Sequence, residues 1–146
     1  MYQKIFFLTF CIFLSVHSIP VQFPNCQNCY AVTAWEIVKH WKPKLNVSVE
    51  DMMKFTHQGC AGGDAKKILN MFFSKTKIEK GTLYKVINLI KRHGPVIIDL
   101  NSEHLVTAWK ATNNGIFIHD SSDGLQKIIT YKDHPLKFNY IVYPIQ

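Results

Sequence analysis

Residues 25–34 read Asn25-Cys26-Gln27-Asn28-Cys29-Tyr30-Ala31-Val32-Thr33-Ala34. Two cysteines three positions apart, at the opening of a helical pattern, admit three readings: half of a zinc knuckle, a redox pair, or a structural thiol beside a working one. Downstream, Ala31, Ala34, Trp35, Val38 and Trp41 recur at three- and four-residue spacing, the signature of one helix face, and Pro43 closes the helix. Cys29 then stands in the first turn, where the leading backbone N–H groups and the macrodipole favour negative charge. Such a position lowers a thiol's pKa and yields the thiolate that acts as nucleophile.

Upstream, Lys4 precedes the apolar run Ile5–Val16, followed by His17 and Ser18. A positive start, a short apolar stretch and Val16 and Ser18 at the −3 and −1 positions read as a cleaved signal peptide, residues 1–18. The run is too short for a membrane span, which takes about 20 apolar residues. The expectation is a mature chain from Ile19 onward that is secreted or held in the lumen of the secretory or lysosomal pathway, with no membrane association after cleavage. The Asn46-Val47-Ser48 sequon, a glycosylation acceptor at Asn46, is compatible with that route.

The 146 residues fit one domain, and 47% apolar content supports a single core. The formal charge is +7 and becomes +6 once Lys4 leaves. The remaining lysines are scattered and show no basic stripe interleaved with aromatics, which argues against nucleic acid as a partner. With Cys11 gone, the mature chain holds Cys26, Cys29 and Cys60. Three is odd, so in an oxidising compartment two can pair and one is left over. Zinc would want four ligands at close spacing, and no second Cys-x-x-Cys or His-x-x-x-His exists, so no metal is expected. A redox pair would join Cys26 to Cys29 and strand Cys60.

The first half continues helical. Ser48-Val49-Glu50-Asp51 has the form of a capping box before Met52, Met53 and Phe55. Residues 59–63, Gly-Cys-Ala-Gly-Gly, make a loop, after which Asp64 caps a segment from Ala65 to Phe73. A further helix runs from Thr82 to His93 on Leu83, Val86, Ile87 and Ile90, and stops at Gly94-Pro95. After Pro95 the texture changes to short β-branched or aromatic runs: Val96–Leu100, Leu105–Trp109, Ile116–Ile118, Ile128–Tyr131 and Tyr140–Tyr143. Helices first and strands afterwards argue an α+β domain, a helical layer on an antiparallel sheet with a cleft between them.

A thiolate needs a base, and His104, at the head of the second strand, is the candidate. His40, His57, His93 and His134 read as surface or capping residues. A third group should hold the imidazole in the right tautomer, and Asp120 ends the next strand. For His104 and Asp120 to face each other directly, paired positions must sum to 224. Val106 then faces Ile118 and Ala108 faces Ile116, across a three- or five-residue connection. Asp123 and Asp99 are the fallbacks.

These residues carry a resemblance. The segment Cys26-Gln27-Asn28-Cys29-Tyr30-Ala31 resembles the nucleophile segment of papain-like cysteine peptidases, Cys-Gly-Ser-Cys-Trp-Ala-Phe. Gly59-Cys60-Ala61-Gly62-Gly63 is similar to that family's Gly-Cys-Asn-Gly-Gly, and Gly94-Pro95-Val96, His104 and a strand ending in an acid keep its order. The short layout and the ending Ile118-His119-Asp120-Ser121-Ser122-Asp123-Gly124 look closer to bacteriocin-leader-processing, C39-like peptidases, which use an Asp. The resemblance implies a papain-like fold over residues 19–146. It implies a Cys29–His104–Asp120 triad working through a thioester acyl-enzyme, a Cys26–Cys60 disulfide, and Gly62 and Gly63 lining the cleft against substrate backbone. The family's oxyanion glutamine would fall at Phe23; Gln22 stands one residue away and is the candidate for that role. No cofactor is called for. The implied partners are a peptide or protein substrate and a proteinaceous inhibitor, with the chain a monomer. Two further readings share the fold: an inactive homologue that binds peptides or inhibitors, and a Cys-His-Asp acyl-transfer or deamidase enzyme.

Overall fold

The computed structural model describes residues 28–55, 62–101, 104–132 and 137–145. Helix α1 spans Cys29–Trp41. Its apolar face is broader than the sequence spacing suggests: Cys29, Tyr30, Ala31, Val32, Thr33 and Ala34 are all buried, so the first two turns are enclosed on every side. Only from Trp35 onward does a solvent face open, and there the Trp35 indole N–H donates to the Val47 carbonyl at 2.9 Å. Helix α2, Val49–Met53, starts at the expected capping box: Ser48 Oγ accepts from the Asp51 amide and Asp51 accepts from the Ser48 amide. Such reciprocal caps satisfy two of the N–H groups that a helix start leaves over. Helix α3, Gly62–Phe72, begins two residues before the expected cap, so Asp64 sits inside its first turn.

Strand β1, Thr76–Thr82, has no counterpart in the sequence reading. Lys77, Glu79, Lys80 and Gly81 break up its β-branched residues, and it lies at a sheet edge, where charged side chains discourage pairing with other chains. Helix α4, Leu83–His93, follows directly, with Thr82 as N-cap and Gly94 as C-cap. Gly94 has φ +73°, and a Cβ there would meet Trp41 Cζ2 at 2.6 Å, so both the backbone turn and the close approach demand glycine. Strands β2 (Val96–Asn101), β3 (His104–Ala111), β4 (Gly115–Asp120), β5 (Leu125–Thr130) and β6 (Lys137–Pro144) complete the sheet, in the order β1-β6-β2-β3-β4-β5 with every pair antiparallel.

Because successive strand side chains point to opposite faces, neighbours along the strands divide between two cores. Ile97, Leu105 and Val142 join Cys29, Ala34, Ile37, Ile68 and Leu69 in the core under α1, α2 and α3. Ile98, Val106 and Ile141 join Val86, Ile90, Ile116 and Ile118 in the core under α4. The architecture is the expected α+β domain of helices on an antiparallel sheet, with α4 on the face opposite α1. Each fully buried isoleucine or leucine contributes roughly 1.5–3 kcal/mol, so both faces of β2 and β3 are held firmly.

Candidate active site

Pairing β3 with β4 brings the first residue of one strand beside the last residue of the other. His104 Nε2 meets Asp120 Oδ1 at 2.7 Å. The register that does this differs from the expected one. Thr107 pairs with His119 and Ala108 with Ile118, a sum of 226, so His104 reaches Asp120 on the diagonal. Beyond Ala108 an extra residue, Trp109, shifts the pairing, so that Lys110 meets Phe117 and Ala111 meets Ile116. The bulge turns Ala111 to the α4 face opposite Ile116, which alternation with Ile118 already places there. Thr112–Asn114 link the strand ends, a three-residue connection tied by Thr112 N–H to Gly115 O at 2.9 Å. A second bulge lies between Asp99 and Asn101, opposite the Leu105–His104 step. Bulges bend strands and re-aim side chains, and this one stands at the head of β3.

Asp120 is 4% exposed. Its Oδ1 also accepts from the Ser122 amide at 2.9 Å and the Ser122 hydroxyl at 2.6 Å, while Lys127 Nζ lies 3.4 Å from Oδ2. Burial pushes this carboxyl's pKa up, but the two Ser122 bonds and His104 outweigh it and hold the group at about 2. Asp120 is therefore a fixed carboxylate. With Nε2 turned to it, neutral His104 presents Nδ1 as its proton acceptor.

Cys29 is the first residue of α1, 2% exposed, and shares a core with Leu105, the neighbour of His104. No acidic residue stands in the first turn of α1, and the Asn28 side chain makes no cap bond. No carboxylate there opposes the helix's positive end, which suits an anionic sulfur. Gly62 and Gly63 open α3, which packs against α1. The fallback acids are engaged elsewhere: Asp99 accepts from the Tyr140 amide, and Asp123 pairs with Lys127 and accepts from the Leu125 amide. Asn46 is exposed, between α1 and α2. Gln22, Cys26 and Cys60 lie outside the described residues. Among the described residues no group of three or more His, Cys, Asp or Glu side chains is arranged to hold a metal ion.

Behind the His104–Asp120 pair lies a cluster that the sequence reading missed. Glu36 of α1 places Oε2 on the Thr107 hydroxyl and Oε1 on His119 Nδ1, in two short contacts. Thr107 and His119 are 3% and 7% exposed. The Glu36 bond raises the His119 pKa; burial opposes it, and the nearby charges of Asp120 and Asp123 add to the rise. The available signal was one acid between Trp35 and Ile37, seven residues after Cys29.

The arrangement matches solved structures in outline. By sequence, no family model and no curated protein matches the chain. By structure, it is similar to the peptidase domain of Streptococcus ComA, a bi-functional ABC transporter involved in a quorum-sensing pathway, with a TM-score of 0.67. The likeness covers 86% of this chain and 97% of that one, at 10% identity. It is also similar to a double glycine motif protease from an AMS/PCAT transporter, solved in complex with the leader peptide. There the TM-score is 0.58 and the identity 16%, over 86% of this chain and 90% of that one. The fold is that of these two peptidase domains. At such identities the likeness speaks for the fold, and the chemistry must be argued from the side chains.

Proposed function

We propose that the chain is a peptidase with Cys29 as nucleophile, His104 as base and acid, and Asp120 as the group that orients the imidazole. The carrying observation is the 2.7 Å contact between His104 and a buried, ionised Asp120. It sits on a sheet packed against the helix that begins with Cys29. His104 Nδ1 takes the thiol proton, and Cys29 Sγ attacks the carbonyl carbon of a peptide bond. The carbonyl electron pair moves to oxygen, where the Cys29 backbone N–H and Gln22 stabilise the charge. Collapse breaks the C–N bond, and imidazolium gives its proton to the departing amine, leaving a thioester. Water loses a proton to His104 as it adds to the thioester; expulsion of the thiolate releases the carboxylic acid.

The substrate is a peptide or protein segment, a class that agrees with the leader peptide bound to the double glycine motif protease. The reading places the mature protein in the secretory route after loss of residues 1–18, with Cys26 joined to Cys60 and Asn46 glycosylated; the exposure of Asn46 supports the last point. The test is cleavage of a peptide library by purified mature chain beside Cys29→Ala, with stoichiometric labelling by an epoxide thiol reagent. Cleavage and labelling that both vanish in Cys29→Ala support the proposal, and neither occurring overturns it. The second reading, a peptide-binding homologue without turnover, is favoured by Phe23 at the usual oxyanion-glutamine position. It predicts peptide binding with neither labelling nor cleavage, whereas labelling without cleavage points to an acyl-transfer enzyme on the same fold. A Cys26–Cys29 bond found by mass spectrometry would overturn the nucleophile assignment.

A further inference from the structure

We propose that Glu36 is a positioning residue, a two-pronged clasp that fixes the helix bearing Cys29 against the hairpin bearing His104 and Asp120. The inference rests on the reading of those three residues as the working groups. Cys29 and Glu36 are seven positions apart on α1, so they share a face, about 10.5 Å along the axis. Any roll or slide of α1 that moved Glu36 would move the sulfur with it. On the sheet side, Thr107 and His119 are direct cross-strand partners, and Glu36 gives one oxygen to each. His119 immediately precedes Asp120, and Thr107 stands three residues after His104 on the same strand. One side chain is thereby tied to both strands that carry the base and the orienting acid.

A part-buried carboxylate is a costly choice where an apolar residue would fill the space, and paired charges withdrawn from water are best attested as devices that set register. The groups facing His119 fit that role: Glu36 from α1, Thr107 from β3, Asp120 on its own strand, Asp123 in the following turn and Gln126 as its register partner on β5. The favourable charges there are negative, and His119 gives its Nδ1 to Glu36 alone among the described residues. Thr107 would accept or donate according to its partner, since a hydroxyl can do both. Glu36→Gln can therefore keep both contacts, accepting from His119 and donating to Thr107. Glu36→Asp is one methylene shorter and can hold only one, and Glu36→Leu holds neither.

The test follows the rate of alkylation of Cys29 by iodoacetamide against pH, with the rate in Cys29→Ala subtracted to remove Cys26 and Cys60. This reads the thiolate–imidazolium geometry without requiring turnover, so a failed peptidase reading would show as an activated thiol that cleaves nothing. Expected are a profile within about twofold of wild type for Glu36→Gln, and a rate at pH 6 reduced about tenfold or more for Glu36→Asp and Glu36→Leu, since ångström-scale misplacement costs up to about 10²-fold. Where peptide turnover is measurable, the loss should fall on kcat with KM nearly unchanged. Thr107→Val, which removes one prong and keeps side-chain shape, should lie between. A wild-type alkylation profile in folded Glu36→Asp, or a loss in Glu36→Gln equal to that in Glu36→Leu, overturns the clasp.

Discussion

Ser122 holds Asp120 twice, through its amide at 2.9 Å and its hydroxyl at 2.6 Å, and both bonds end on Oδ1, the oxygen that meets His104. Three donors on one oxygen determine what an amide would do there. In Asp120→Asn the side-chain oxygen must occupy the Oδ1 position and the NH2 group the Oδ2 position, near Lys127. The imidazole keeps its acceptor and its tautomer. We expect Asp120→Asn to lose about tenfold in kcat and Asp120→Ala about 10²-fold or more, on the general scale of misoriented catalytic bases. Peptide cleavage rates of the two variants, measured side by side, check the order.

The same bonds set a pH dependence of stability. Burial alone would raise the Asp120 pKa above 3.8, yet the Ser122 and His104 interactions hold it at about 2. A depressed carboxyl contributes stability that is complete above its unfolded pKa and is lost as pH falls through the folded one. The shift corresponds to about 2 kcal/mol, lost between roughly pH 4 and pH 2. Urea unfolding at pH 5, 4, 3 and 2 should show a steeper fall in wild type than in Asp120→Asn.

His119 has the opposite sign. Its pKa is raised above 6.5, chiefly by the bond to Glu36. The stability it contributes is fully present below 6.5 and lost as pH rises through the folded value. His119→Gln should remove that loss, leaving urea midpoints flatter from pH 6.5 upward than those of wild type. An unchanged slope in the variant would assign the dependence to another group.

Gly94→Ala tests the junction of α4 with the end of α1. The substitution must adopt φ +73° and places a Cβ 2.6 Å from the Trp41 ring. A positive φ in a non-glycine residue costs of order 1–3 kcal/mol, before any displacement of the indole. We expect equilibrium unfolding to show a loss of about 2 kcal/mol or more, with Trp41 fluorescence shifted in the folded state.

The two bracketed helices were legible because their ends are written in local chemistry: Ser48 with Asp51 for α2, Thr82 with Gly94-Pro95 for α4. The strands after Pro95 were legible from their β-branched runs. Strand β1 was not, because its pairing with β6 owes little to its own Lys-Ile-Glu-Lys-Gly sequence. The β3–β4 register was read two positions out for a physical reason. A slip of one residue inverts the faces, whereas a slip of two preserves them, so the pattern of Val106, Ala108, Ile116 and Ile118 fits sums of 224 and 226 equally. The Trp109 bulge, which settles the matter, leaves no mark in hydrophobic spacing. Glu36 escaped notice because its partners lie 71 and 83 residues away.

Strand β6, the last strand along the chain, lies between β1 and β2 in the sheet. During vectorial synthesis the helices and the hairpins from β2 to β5 leave the ribosome first, while β1 and β2 still lack their common neighbour. Only when Lys137–Pro144 emerges can Val142 fill its place beneath the helices and Ile141 its place beneath α4. Pairings of such long sequence separation form slowly. A nascent chain thus holds β1 and β2 apart for some time before the keystone strand enters between them and completes the sheet.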